Sequence, residues 1–355
     1  MTPATIVAAL LESRGFAHKR DIAAVMGALG QHSSTGWRAA GQATGLGDDC
    51  AALADGDGYL LFAIEGFVED FIARMPWFAG YCGVMVNVSD IYAMGGRPLA
   101  VVDALWSRGM EPADEVLRGM AAASAAYGVP IVGGHSNTRS EKGQLAVSVL
   151  GRARHLITSF DARPGDDLVM AVDLRGVYQE PFPYWNASTS APGERLRGDL
   201  EILPALAEAG LCLAGKDISM AGAVGTALML LECSGAGAVI DVDCIPRPPG
   251  VNLLRWLVSF PSYGFVLSVA PDSTEEVLAR FADRGIAAAA CGRVTDGPEA
   301  WLRTGSDQAL LWDFATAPLM GCTAGADGTE AEATAEARAT AGHATRQNAV
   351  CGSAA

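Results

Sequence analysis

The feature that most restricts how this chain folds is the stretch Gly80–Leu105, GYCGVMVNVSDIYAMGGRPLAVVDAL. It reads as a helix that stops on a glycine pair and turns at once into a strand. Val84, Val88 and Ile91 recur at i, i+4 and i+7 and make an apolar stripe, while Asn87 and Asp90 lie three apart on a neighbouring face. One face is therefore expected to be core and the other to carry oxygens. Gly95 and Gly96 supply a left-handed C-cap, Pro98 stops the helix from continuing, and Leu99–Leu105 is an apolar run suited to a strand covered on both faces. Asp90 then falls in the last helical turn, where the helix dipole is itself negative. Two readings stay open: a solvated helix-end acid, or a carboxylate whose repulsion is relieved by a divalent cation.

Half of the 355 residues are apolar, enough for two domains with separate cores. The formal charge of -15 argues against nucleic acid or an anionic membrane as the main partner, because phosphate is met with clustered Lys and Arg. An acidic chain still accommodates a nucleotide triphosphate when metal ions stand between carboxylates and phosphates. No secretory leader is read at Met1–Phe16, and no segment reaches the length and apolarity of a membrane span. The eight cysteines are scattered, with no CxxC pair, which fits reduced thiols in a cytoplasmic protein and argues against a zinc site.

In chain order, Thr2–Gly30 reads as two short helices and Gln31–Gly45 as a surface loop, a mobile cover or plain disorder. Gly47-Asp48-Asp49 precedes a strand Tyr59–Ile64 that ends at Glu65; adjacent acids after a glycine are either a turn or a rigid pair of hard-oxygen ligands. Pro112–Tyr127 is expected to be helical, followed by strands Pro130–Gly133 and Gln144–Ala153, the first opening into Gly134-His135-Ser136-Asn137. The alternation gives an α/β fold with mixed sheets. Domain limits are set at 1–45, 46–158, 159–319 and a disordered tail 320–355. In the second half Tyr178–Trp185 is an aromatic loop, core cover or substrate wall, and Glu194–Glu208 a helix. A strand Leu211–Ile218 follows, with Asp217 and Ser219 at the start of the next helix, as an N-cap or as a phosphate or metal site.

Taken together, Gly47-Asp48-Asp49, Asn87-Val88-Ser89-Asp90, Gly133-Gly134-His135-Ser136 and Asp217-Ile218-Ser219 resemble, in that order, the PurM-type ATP-dependent superfamily. That group holds AIR synthase, thiamine-monophosphate kinase, selenophosphate synthetase and the hydrogenase maturation factor HypE; GDDCA and NVSDIYAMGG are closest in wording to the thiamine-monophosphate kinase forms, GGHS is similar to selenophosphate synthetase, and the whole pattern resembles an AIR-synthase-related subfamily. The resemblance implies a two-domain architecture whose N-terminal sheet pairs with that of a second subunit, and a homodimer holding ATP and Mg2+. It makes Asp48, Asp49, Glu65, Asp90 and Asp217 metal ligands, and Asn87, Gly134, His135 and Ser219 nucleotide contacts. The activity implied is phosphoryl transfer from ATP to a small-molecule acceptor, or activation of a carbonyl or amide oxygen for ligation or ring closure. A nucleotide-binding sensor without turnover is the third reading.

Departures from the pattern fall on the acceptor side. Ala63 and Ile64 replace a hydroxyl-bearing pair, His135 an acid, and Met220 a second acid, while Phe260–Phe265 stands in place of a glutamate-containing substrate segment. No Walker A or protein-kinase signature is present. No general base is identified; His135 and Asp103 are the candidates.

Overall fold

A computed structural model describes residues 1–32 and 43–322. Most of the loop expected at Gln31–Gly45, and the tail from 323 onward, lie outside the described residues. The helices are α1 (Pro3–Leu11), α2 (Arg14–His32), α3 (Glu69–Arg74), α4 (Pro76–Ala93), α5 (Met110–Tyr127), α6 (Gly193–Leu200), α7 (Ile202–Glu208), α8 (Gly222–Ser234), α9 (Leu253–Leu257) and α10 (Pro271–Ala282). The strands of the first half are β1 (Ala51–Asp55), β2 (Gly58–Phe67), β3 (Arg97–Arg108), β4 (Ile131–Asn137) and β5 (Arg139–Ala153). Those of the second half are β6 (Asp167–Val172), β7 (Val177–Tyr178), β8 (Tyr184–Asn186), β9 (Ala214–Asp217), β10 (Gly237–Asp241), β11 (Phe260–Pro261), β12 (Gly264–Val269), β13 (Ala287–Thr295), β14 (Glu299–Thr304) and β15 (Asp307–Asp313).

The fold is α/β with mixed sheets. A five-stranded sheet runs β1-β2-β5-β3-β4, antiparallel except for the parallel pair β3–β4. A seven-stranded sheet runs β15-β14-β10-β13-β6-β12-β9, and a small third sheet joins β11, β8 and β7. The expected boundary at 158 falls between the last strand of the first sheet and the first strand of the second. In β6, Val169 and Ala171 face one core together with the first sheet's helices, whereas Leu168, Met170 and Val172 face another core with α8 and α1. A strand buried on both faces reads as the unbroken apolar run seen there. Among the described residues no helix is long and apolar enough to cross a membrane.

Several expectations are corrected by the structure. The central helix begins at Pro76, with Pro at its first position, and is buried almost all round, so its oxygen face is interior as well. Only Gly95 of the glycine pair is left-handed, with φ 74°; Gly96 N–H returns to the Ile91 carbonyl at 2.9 Å and closes the cap. The strand after it is covered on one face only, since Leu99 is 47% and Val102 42% exposed. Helix α5 starts at Met110, two residues before Pro112. The single helix expected over Glu194–Glu208 is two, because Pro204 has no N–H to donate to the Leu200 carbonyl. Tyr178–Trp185 contains parts of β7 and β8, and β10 and β14 were not anticipated. Met320 and Cys322, assigned to the tail, are buried, and the Leu319, Met320 and Gly321 amides donate to the buried Glu232 carboxylate.

Helices α4 and α5 cross in backbone contact. A Cβ on Gly80 would overlap the Val116 carbonyl oxygen, and one on Gly119 would overlap that of Trp77. This reciprocal close approach seats α4, and with it Asp90, against its neighbours. Gly119→Ala should therefore lower stability by about 2–3 kcal/mol, the usual cost of overpacking, read as a lower melting temperature. An unchanged melting temperature would show that the helices have room to separate.

Candidate metal and nucleotide site

Three carboxylates distant in sequence converge. Asp49 comes from the loop before β1, Asp90 from the last turn of α4, and Asp217 from the end of β9. One oxygen from each lies within 4.8 Å of the others. Asp90 and Asp217 are 5% and 3% exposed. Oxygen donors at this spacing suit a hard divalent cation, and the Asp90 Oδ2 atom is buried with no hydrogen-bond partner, so the donor set fits one. Glu65, on β2, lines the same cavity as Asp90 and Asp217.

The arrangement is held by a residue the sequence reading passed over. Lys216 sits beside Asp217 in β9, and its buried ammonium donates to Asp49 Oδ1 and to the Gly47 carbonyl at 3.2 Å. Asp49 Oδ2 accepts the Asp217 N–H at 3.1 Å. Burial works against the Lys216 charge, but Asp49 and Asp48 outweigh it and hold the ammonium above its ordinary range. A lysine directly before Asp217 at the end of a short strand was the available signal. Lys19, from α2, also reaches the cavity, and burial lowers its pKa, with Lys216 adding to the effect.

The remaining candidates are placed as follows. Asp48 stands outside the trio: its Oδ1 accepts from Ser159 N–H at 3.1 Å and Ser159 Oγ–H at 2.6 Å, tying the acidic loop to the segment after β5. Burial pushes the Asp48 carboxyl up to about 7. Asn87 is buried, donating from Nδ2 to the Gly83 carbonyl at 2.8 Å with Oδ1 unpartnered. Ser219 does not cap α8, whose N-cap is Ala221; its N–H donates to Thr226 Oγ1, and its own Oγ is buried and unpartnered at the cavity wall. Gly134 and His135 lie on β4, the edge strand, where His135 faces the Trp106 ring with centroids 5.8 Å apart. Asp103 packs against Gly134, and burial raises its pKa. Gly134, Asp103, Val147 and Glu65 share one ladder row, so Gly134 is about 14 Å from Glu65 at the usual strand spacing. The structure thus gathers Asp49, Glu65, Asp90, Asp217 and Ser219, and leaves Asp103 and His135 away from them.

Burial and mutual repulsion set the electrostatics. Burial first, then the charges of Asp217, Glu65 and Asp49, raise Asp90 well above the ordinary carboxylate range. Burial and Asp49 bring Asp217 to about 8. Burial raises Glu65 too, against the pull of Lys19.

Residues 47–153 match the model of the AIR synthase related protein N-terminal domain, and residues 188–303 that of its C-terminal domain. The uncharacterized protein sll0787 of Synechocystis is 49% identical over 90% of this chain and 98% of its own length. The chain belongs to the AIR synthase-related family. Among solved structures, T. maritima PurL complexed with ADP superposes with a TM-score of 0.66 at 20% identity, covering 80% of this chain and 48% of that one. AaThiL complexed with AMPPCP and TMP gives 0.58 at 19% identity, over 75% of this chain and 92% of that one. These likenesses show the PurM-like two-domain fold.

The raised carboxyls make a signed prediction. A group such as Asp217, ordinarily near 3.8 and here near 8, favours the metal-free fold when protonated. Its stabilisation is full below its unfolded value and is lost as pH rises through the folded one. In EDTA the melting temperature should fall between pH 5 and 8.5, and millimolar Mg2+ should remove most of that fall. Asp90→Asn should stabilise the metal-free protein by about 1–2 kcal/mol, as neutralising a strained site residue commonly does. A flat profile in EDTA, or a destabilised Asp90→Asn, would show that the trio is not under electrostatic stress.

Proposed function

We propose that this protein is a Mg-ATP-dependent enzyme that transfers the γ-phosphoryl group to an oxygen of a small-molecule acceptor. The observation that carries this reading is the convergence of Asp49, Asp90 and Asp217 beside a cavity with partnerless polar atoms. Asp49, Asp90 and Asp217 would hold Mg2+, with Glu65 adjacent, and the metal would supply charge neutralisation between carboxylates and polyphosphate. Phosphoryl transfer asks the protein for alignment and electrostatics more than for covalent chemistry. Lys216 fixes the orientation of Asp49, the Ser219 hydroxyl is available to an oxygen in the cavity, and the apolar walls exclude water. Support comes also from the relatives: Pseudomonas putida selenide, water dikinase is 29% identical over 65% of this chain. Transfer to a carbonyl or amide oxygen, ahead of ligation or ring closure, uses the same parts. The unbridged thiols of the described cysteines fit the cytoplasm.

Binding without turnover is the second reading, favoured by Met220 standing at the cavity wall where the resemblance has an acid. The test is calorimetry and thermal shift with Mg-ATP, followed by ADP release across candidate acceptors. Wild-type protein should be stabilised by several degrees, and Asp217→Asn should lose at least about 100-fold in turnover, the scale of removing an electrostatic contact to the reacting group. No stabilisation by Mg-ATP overturns the proposal; stabilisation with no ADP release from any acceptor favours the sensor.

The partner reading belongs with the site. The outer face of the five-stranded sheet exposes Phe62 at 53% and Ile64 at 65%, next to Val102 and Leu150. A contiguous apolar face of this kind marks an interaction surface, and a second copy of the chain is the proposed occupant. Light scattering should give twice the chain mass, and Ile64→Lys, whose side chain points out of the fold, should shift it to the monomer. A monomeric wild type rules the pairing out.

A further inference from the structure

Behind the carboxylates the cavity continues as an aromatic sleeve, about 310 Å³ in all, to which the acids contribute only one end. Phe71, Phe78, Tyr184 and Phe260 form its walls with Met85 and Cys82 between them. Tyr184 is the hub: its ring lies 5.0 Å from Phe71 at 71°, 6.1 Å from Phe260 at 89°, and stacks on Phe182 at 5.1 Å and 10°. Among the described residues the basic side chains at the wall are His18 and Lys19, consecutive on α2, with no arginine among them; Arg14 stands behind His18, its Nε donating to His18 Nε2 at 3.3 Å. At the acidic end two polar side-chain atoms, Asp90 Oδ2 and Ser219 Oγ, are buried and unpartnered. An apolar pocket closed by a few convergent polar groups is the usual form of a small-molecule site, and this volume is at the small end of the range.

Resting on the phosphoryl-transfer reading of the acidic end, we infer that the sleeve is the acceptor pocket and that its ligand is a flat, unphosphorylated aromatic compound of one or two rings. A single hydrogen-bonding group on the ring system meets Ser219. Three features select this class. Ring faces and edges at right angles to one another offer offset-stacked and edge-to-face contacts that a flat ligand completes and a sugar does not. A phosphorylated acceptor needs a donor fork for its dianion, which arginine provides; among the described residues none lines the wall, and the Nε of nearby Arg14 is turned to His18. The end of the sleeve already concentrates Glu65, Asp90 and Asp217, so a second anion there meets repulsion beyond what Lys19 offsets. The departures at Met220 and at Phe260–Pro261–Ser262, all at the cavity wall, are the same substitution of apolar for charged chemistry.

Calorimetry on the full chain with Mg-AMPPCP distinguishes the outcomes, using indole-3-acetamide, thiamine monophosphate and ribose 5-phosphate as ligands. Indole-3-acetamide should bind at least about tenfold tighter than either phosphorylated compound. Met85→Trp, which fills the sleeve with an aromatic ring, should weaken it by about tenfold or more. Phe260→Leu, which keeps the wall apolar without the ring, should weaken it about threefold, with circular dichroism melts confirming that both variants fold. Tighter binding of ribose 5-phosphate or thiamine monophosphate, indole-3-acetamide binding that Met85→Trp leaves intact, or no binding of indole-3-acetamide at all overturns the inference. Loss of Mg-AMPPCP binding with indole-3-acetamide binding retained would instead fail the phosphoryl-transfer reading and leave the aromatic pocket standing.

Discussion

Two buried acids and a half-buried third, pressed together beside one buried lysine, are the constraint under which the rest of this molecule is built. Ionised carboxylates with oxygens within 4.8 Å of one another repel by roughly 3 kcal/mol or more per pair at an effective dielectric of about 20. Lys216 neutralises one of them, Asp49, and does so directly. The other two are left with protonation or an external cation as their remedies. Burial and the neighbouring carboxylates raise Asp90 and Asp217 in the metal-free state and so favour protonation, and the cation is what the donor geometry suits. A fold that keeps such a cluster must spend packing energy elsewhere to hold it closed.

That packing is identifiable. Asp90 is on a helix buried almost all round and locked to α5 by Gly80 and Gly119, so it has little freedom to swing toward solvent. Asp217 ends a strand whose residues are all buried and paired with β12. The acidic loop has no regular structure of its own, and there the restraint is polar: Asp48 on Ser159, Asp49 on Lys216 and on the Asp217 amide. Of two adjacent acids, one anchors the loop and the other faces the cluster.

Much of this was legible from the chain itself. The helix stop at Gly95, the apolar stripe Val84, Val88, Ile91 and the order of acidic motifs are local signals, and local signals survive translation into structure. What was not legible depended on distance. Lys216 finds Asp49 across 167 positions, and nothing in the neighbourhood of either announces the other. The apolar run at Leu99–Leu105 carries the same composition whether its second face meets a helix or is left open; here it is left open. The division of labour between Asp48 and Asp49 was likewise hidden, because it is set by Ser159. The aromatic segment at Tyr178–Trp185 carried two readings, and both hold in part: Tyr178 bonds Ser259 and packs under Arg255, whereas Tyr184 and Trp185 reach the cavity.

Charge balance ties the cluster to the sleeve. Under the phosphoryl-transfer proposal each acid lining the polyphosphate site would require a compensating cation, so the absence of an acid at Met220 would lower the number of metal ions the site can organise. Ile64 points out of the sheet altogether, 65% exposed, and contributes nothing to the interior. On that proposal, a site with fewer cations would have less charge to offset an anionic acceptor. The apolar wall of Phe71, Tyr184 and Phe260 is the complement of that loss. With fewer charges to tether a substrate, recognition would pass to ring surface and shape, and the remaining carboxylates would be left to the proposed nucleotide end.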